Sequence, residues 1–257
     1  MKYYVVSDIH SYYDCLIDAL TIAGFFNDKT PHQLIICGDL FDRGNQVIQL
    51  QEFILSLMNK NEVILIKGNH EELLMDIVHG FQRYEWNRSH HISNGTTDTV
   101  LQICNCQFYD LYDNAKEMYQ KLVNSPIITK IIPNMKNYYE TQSHIFVHGW
   151  IPCYLDYLNH YSYYDNWRNA SDQLWQRARW TNGMKAWHDG VKENGKTIVC
   201  GHFHCSFGHT HYESDGSEFD EDANHNPFIQ EGIIALDSTC AYTKKLNCIV
   251  IEDNPLN

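Results

Sequence analysis

The sequence predicts an α/β fold with a parallel sheet that carries polar residues at the ends of its strands. Short apolar runs typical of buried strands alternate with amphipathic helical patterns through the first part of the chain. Each of these runs is followed within two residues by Asp, His or Gly. Alternating strands and helices favour parallel pairing with right-handed crossovers. Ligands of such sheets bind beyond the carboxyl ends of the strands.

The length of 257 residues suits one large domain with a sizeable core. We therefore expect residues 1–257 to form a single domain. A helical insertion is expected at about 72–143, because the apolar pattern there is helical and interrupted by polar and aromatic residues. A mixed loop and helix segment, rich in Tyr and Trp, is expected at about 152–195.

Composition excludes some classes of partner. A net charge of −13 argues against a surface that binds nucleic acid, which requires a field of Lys and Arg. No apolar run is long enough to span a bilayer, and the N-terminus shows no signal-peptide pattern. The nine cysteines are odd in number and include no Cys-x-x-Cys pair, which favours a reducing cytoplasm. We expect a cytoplasmic monomer without membrane or nucleic-acid partners.

The rest of the chain is organised around the stretch 37–44, Cys-Gly-Asp-Leu-Phe-Asp-Arg-Gly, which follows an apolar strand at 34–37. Asp39 and Asp42 at the edge of a core need a positive partner, and a divalent cation with oxygen ligands provides one. Arg43 offers a planar fork of donors suited to phosphate. The stretch indicates a metal beside an oxyanion, although a polar turn with a surface Asp–Arg pair is the alternative.

Four further strand-like runs end in residue types that ligate metals. They are Tyr3–Val6 before Asp8 and His10, Val63–Ile66 before Asn69, His70 and Glu71, Ile145–Val147 before His148, and Thr197–Cys200 before His202 and His204. Since the ends of parallel strands meet at one edge of a sheet, we expect these side chains to converge.

The remaining elements follow from periodicity. Helices are predicted at 12–25, where Gly24 is a plausible stop, and at 45–58. The acidic segment 212–226 is predicted to be a solvated loop. The C-terminal runs at 232–237 and 246–251 are predicted to form a β-hairpin with each other.

The motifs occur in the order Asp-x-His, Gly-Asp-x-x-Asp-Arg-Gly, Gly-Asn-His-Glu, His-Gly and Gly-His-x-His. This order of motifs resembles that of the calcineurin-like metallophosphoesterase superfamily. The motif sequences are most similar to those of bacterial and phage PPP-type serine/threonine protein phosphatases. The resemblance covers nearly the whole chain. It implies a four-layer α/β/β/α metallophosphoesterase sandwich with a helical insertion. The turn at 242–247, Tyr-Thr-Lys-Lys-Leu-Asn, departs from the Tyr-Gly-Gly-Lys-Leu-Thr common in that group.

The resemblance also implies two divalent metal ions, manganese with iron or zinc as alternatives. Metal one would bind Asp8, His10, Asp39 and His204, and metal two would bind Asp39, Asn69, His148 and His202. Mixed oxygen and nitrogen donors suit such ions. A second copy of the last motif, Gly-His-Thr-His at 208–211, is the alternative source of the final ligand pair.

The same resemblance implies the catalytic roles. His70 would be the general acid and Asp42 would orient it. Arg43, helped by Arg177 of a Trp-x-Arg segment, would bind the phosphate, although Arg179 lies only two residues from Arg177. Glu71 could contact the site indirectly or serve as a charge at a helix N-terminus.

Three functions remain in competition. The first is a phosphomonoesterase that attacks phosphorus with a metal-bridging hydroxide, as a protein serine/threonine phosphatase whose partner is a phosphorylated protein or a small phosphoester. The second is a nucleotide hydrolase such as a symmetrical dinucleoside tetraphosphatase. The third is a non-catalytic phosphate-binding domain, which the complete ligand set and His70 disfavour. The shape of the groove formed by residues 71–143 and 152–195 decides between the first two.

Overall fold

The computed structural model describes residues 1–256, in which two β-sheets face each other. The first sheet has the strand order β11-β1-β2-β3. Its strands are β1 (Lys2–Val6), β2 (His32–Cys37), β3 (Val63–Ile66) and β11 (Ile249–Glu252). The first three strands are parallel, as predicted, and β11 runs antiparallel to β1.

The second sheet has the order β4-β5-β8-β10-β9, with parallel central strands and antiparallel edges. Its strands are β4 (Tyr139–Glu140), β5 (His144–Phe146), β8 (Thr197–Cys200), β9 (Phe228–Gln230) and β10 (Ile233–Ala235). A separate hairpin joins β6 (Cys153–Leu155) and β7 (Tyr161–Tyr163). The five strands whose ends carry the motifs are thus divided between two sheets.

The alternation of side chains along the strands builds the layers. Tyr3 and Val5 of β1 pack with Phe146 and Val199 of the opposite sheet, forming a core between the sheets. Tyr4 of β1 and the alternate residues of its neighbours face a larger core beneath the helices. A third core covers the outer face of the second sheet. The predicted four-layer α/β/β/α sandwich is confirmed.

Eleven α-helices lie within residues 1–256. They are α1 (Tyr13–Ala23), α2 (Val47–Lys60), α3 (Asn69–Gly80), α4 (Ser89–Ser93), α5 (Thr96–Cys104), α6 (Asp110–Asp113), α7 (Ala115–Val123), α8 (Asp172–Arg179), α9 (Gly183–His188), α10 (Cys205–Gly208) and α11 (Cys240–Thr243). Gly24 ends α1 with φ of 87°, as its position predicts. Helices α4 to α7 lie in the predicted insertion and close over the first sheet. No helix of the described residues is both long and apolar enough to cross a bilayer.

The predicted C-terminal hairpin is wrong. Strand β10 lies in the second sheet, where its antiparallel partner is β9, whereas β11 lies in the first sheet beside β1. Helix α11 connects them and carries the chain from one sheet to the other. The connecting segment has no tight-turn signal to hold the two strands together, and β1 offers an edge with which β11 pairs.

Candidate metal centre

The loops that follow β1, β2, β3, β5 and β8 meet at one place. Two groups of side chains there could each hold a metal ion: His10, Asp39 and His70 form one group, and Asp39, His148 and His202 form the other. Within each group the potential ligand atoms all lie within 4.8 Å of one another. Asp39 belongs to both groups, so its carboxylate is the only side chain positioned to bridge two ions among these five.

The hydrogen bonds of two imidazoles show what the centre is built to bind. His148 donates from Nδ1 to the Cys37 carbonyl at 2.8 Å, and His10 donates from Nδ1 to the Phe41 carbonyl at 3.0 Å. Each Nε2 therefore carries a lone pair. These atoms lie 3.3 Å and 3.7 Å from the Asp39 carboxylate oxygens. Electron pairs that face one another in this way fit a divalent cation between them.

Two further predicted ligands flank these groups. Asn69 Oδ1 lies 2.7 Å from His148 Nε2, and the Asp8 carboxylate accepts the backbone N–H of His202 at 3.0 Å. Both side chains are buried. The structure therefore brings together every predicted ligand except His204.

Buried carboxylates give the centre a need for positive charge. Burial raises the pKa of Asp8 well above its ordinary value, and the charges of Asp237 and Asp39 raise it further. Burial also raises the pKa of Asp237, although a hydrogen bond from the Thr239 backbone opposes this. Bound cations would relieve the repulsion among these groups. Sequence reasoning missed Asp237, yet it follows β10 and the strand-end rule that found the other ligands applies to it.

His204 lies outside both groups. Its Nε2 is 2.8 Å from an oxygen of Glu218, in the acidic segment 212–226. The second motif copy also lies elsewhere, because His209 contacts Glu213 at 2.5 Å. In this conformation the first Gly-His-x-His copy supplies only His202 to the two groups, and the second copy supplies neither of its histidines.

Backbone strain is concentrated at the centre. Five of its residues have positive φ: Asp8 (53°), His10 (51°), Asp39 (53°), Asp42 (75°) and His202 (67°). This conformation costs about 1–3 kcal/mol for a residue with a side chain and persists where surrounding contacts enforce it. Its concentration at the strand ends is typical of a functional site.

Glu71 ties two of the motif loops together. Its carboxylate accepts backbone N–H groups from Gly68 at 2.7 Å, Leu40 at 2.9 Å and Asp39 at 3.2 Å. Burial raises its pKa to about 7, and the charge of Asp39 adds to this effect. A Cβ atom at Gly68 would overlap the Asp39 carboxylate, so the close approach of the loops requires glycine. Glu71 therefore positions Asp39 through the backbone.

His70 and Asp42 form a buried pair beside the first group. His70 Nδ1 donates to Asp42 at 2.7 Å, and His70 Nε2 lies 3.3 Å from the Arg43 guanidinium. Burial alone lowers the pKa of His70, but the charge of Asp39 and the Asp42 hydrogen bond outweigh it, so the pKa is raised. The pair can hold a proton close to the centre, as a general acid must.

Two threonines of α5 hold the Asp42 carboxylate, and sequence reasoning missed them. Thr96 donates to Asp42 at 2.8 Å, and Thr99 donates to its other oxygen at 2.7 Å. All three side chains are completely buried. The spacing of three residues puts both hydroxyls on one face of a helix, but nothing local indicates that this face meets Asp42. The insertion thus contributes directly to the centre.

Replacing both hydroxyls, by Thr96→Val with Thr99→Val, is expected to lower kcat about tenfold or more. The Asp42 carboxylate would lose the donors that fix it, and outer hydrogen-bond partners of a site commonly contribute this much. Steady-state kinetics measure the loss. Thr97→Val is the matched control, because Thr97 is buried in the same helix but donates to the Trp86 carbonyl. Equal rates in both variants would contradict the assignment.

The two candidate phosphate-binding arginines differ in environment. Arg179 is buried, and its two terminal nitrogens are already paired with Glu72 and Asn137. Arg177 is exposed and lines a cleft of about 590 Å³ together with Trp180. The structure thus leaves Arg177 accessible to a ligand and does not bring it into either group.

Comparisons with known proteins agree with this geometry. Residues 1–229 match the family model described as calcineurin-like phosphoesterase. The chain is 28% identical over 131 residues to the asymmetrical bis(5'-nucleosyl)-tetraphosphatase PrpE of Anoxybacillus flavithermus, covering 45% of this chain and 51% of that protein. It is 34% identical over 76 residues to the PrpE of Bacillus velezensis, covering 27% and 30%. These matches span about half or less of the relatives' own lengths.

Among solved structures, the chain resembles a cold-active protein tyrosine phosphatase of a psychrophilic Shewanella species. The TM-score is 0.54 at 18% identity, and the match covers 98% of this chain and 76% of that one. At this identity the similarity supports the fold alone.

Proposed function

Because the chain belongs to the calcineurin-like phosphoesterase family, we propose that it is a two-metal hydrolase of dinucleoside polyphosphates. The observation that carries the hydrolase proposal is the position of Asp39 in two groups of potential ligands at once. Tetraphosphatases among the sequence relatives support the nucleotide substrate.

The proposed ligands form two sets that share Asp39. Asp8 and His10 would hold one ion with it, and Asn69, His148 and His202 would hold the other. His204 would join the first set only if its side chain moved away from Glu218. When bound, the two cations would activate water and neutralise phosphate oxygens. Oxygen and imidazole donors suit manganese, iron or zinc.

The chain's own residues would supply the rest of the chemistry. His70 donates a proton to the leaving phosphate oxygen, and Asp42 keeps its imidazole oriented and protonated. Arg43, exposed beside His70, binds non-bridging oxygens as negative charge increases in the transition state. Arg177 binds a second phosphate in the cleft that it lines with Trp180.

Protein serine/threonine phosphatase activity is the second candidate. The Asp-Arg-Gly motif of residues 42–44 and the glutamate after His70 favour it, because these motifs resemble those of PPP-type enzymes. Both candidates use the same centre and differ only in the group that occupies the surrounding clefts.

We expect diadenosine tetraphosphate to be hydrolysed with a higher kcat/KM than phosphoserine or phosphothreonine peptides in the presence of Mn²⁺. Side-by-side kinetics on the same preparation measure this ratio. Product analysis identifies whether ATP with AMP or two ADP molecules form. A clear preference for phosphopeptides would exchange the two candidates, and absence of turnover on both would remove the proposal.

A further inference from the structure

Trp180 is an exposed aromatic residue beside the metal centre. It directly follows α8, and 52% of its surface is accessible. Its ring centroid lies 5.8 Å from that of His202, with the planes at 84°. One ring edge or face is thus used against a proposed metal ligand, while much of the indole remains open to solvent. A group that contacts the open part would lie beside the candidate metal centre.

Trp180 and Arg177 separate two clefts. Both residues line a polar cleft of about 590 Å³ that also contains Glu72 and Gln173. Both also line a more apolar cleft of about 560 Å³ bounded by the β6–β7 hairpin. A large aromatic surface and a guanidinium therefore lie together on the ridge between the clefts. This pairing complements a ligand that combines a flat ring with negative charge.

We propose that Trp180 stacks on a nucleobase of the substrate while Arg177 binds a neighbouring phosphate. The inference rests on the proposed function and specifies how that site would select nucleotides. Base–aromatic stacking stabilises bound nucleotides and tolerates any base, since every base has a π-face. The polyphosphate would extend from the metal centre past Arg177, and one base would lie on the indole.

The test compares two substrates that share the phosphoanhydride bond. Diadenosine tetraphosphate has bases, and inorganic tripolyphosphate has none. Trp180→Ala is expected to lower the ratio of their kcat/KM values about ten- to a hundredfold, in line with the strength of base stacking. Trp180→Phe should retain most of the ratio. Tyr157→Ala is the control, because Tyr157 is 93% exposed on the adjacent hairpin and lines neither cleft.

A binding measurement separates stacking from support of His202. The dissociation constant of AMP, measured by calorimetry with Mn²⁺ present, should increase in Trp180→Ala while metal content and Tm match the wild type. An equal loss on both substrates, with metal content reduced, would overturn the inference in favour of a structural role. If wild-type protein hydrolyses only phosphopeptides, the proposed function fails first. If it hydrolyses the dinucleotide and Trp180→Ala keeps the ratio, only the stacking inference fails.

Discussion

Asp39→Asn is expected to reduce turnover about a thousandfold and to lower the metal content. Asp39 belongs to both groups of potential ligands, so the loss of its carboxylate weakens the binding of both ions. Metal ions contribute several kcal/mol to phosphoryl transfer, and each 1.4 kcal/mol corresponds to a tenfold change in rate. Metal analysis of purified protein and steady-state kinetics measure the two effects.

Thermal unfolding supplies an independent readout of the same change. Added Mn²⁺ should raise the Tm of the wild type, since a ligand that binds only the folded state stabilises it, and should raise that of Asp39→Asn much less. Asp28→Asn is the control, because Asp28 pairs with Lys2 outside both groups. An Asp39→Asn protein that retains wild-type metal content and turnover would eliminate the shared-carboxylate assignment.

His70→Asn is expected to lower kcat by about 10²–10⁴-fold on substrates with poor leaving groups, the usual contribution of a general acid. The loss should be much smaller with p-nitrophenyl phosphate, whose leaving group needs little protonation. Metal content should be retained. Because His70 forms one group of potential ligands with His10 and Asp39, loss of metal from the variant would instead identify His70 as a ligand. His144→Asn is the matched control, because His144 of β5 contacts Asp253 at 3.1 Å and belongs to neither group.

The pH profile tests the same assignment. The raised pKa of His70 keeps the acid form present to higher pH, so the rate should decline as pH rises through that pKa. Asp42→Asn removes the carboxylate charge that raises the pKa of His70 and weakens the hydrogen bond, so the declining limb should move to lower pH. A limb that stays in place would mean that another group controls it.

Much of the centre could be predicted because its signals are local. Asp39 and Asn69 lie two and three residues beyond the ends of β2 and β3, and neighbouring parallel strands bring their ends to one edge. The pairing of His70 with Asp42 was expected from the family resemblance, and the structure places the two 2.7 Å apart. The same strand-end reasoning, applied once more, reaches Asp237. The single-domain expectation for residues 1–257 and the identity of the metals remain predictions.

The features that could not be predicted depend on distant partners. Thr96 and Thr99 reach Asp42 only because α5 packs against its loop, and His204 faces Glu218 because of the path of a later segment. The sheet that β11 joins depended on the free edge of β1 rather than on its neighbour in sequence.

The sequence alone was enough to predict the succession of strands and helices through the first part of the chain and the polar residues at the strand ends. These follow from side-chain periodicity and from covalent adjacency, which act over a few residues. The packing of distant segments fixed the contacts that could not be predicted: Thr96 and Thr99 hold Asp42, His204 faces Glu218 instead of the centre, and Trp180 lies beside His202. Those contacts join residues far apart in the chain, and their free energy depends on how whole layers pack.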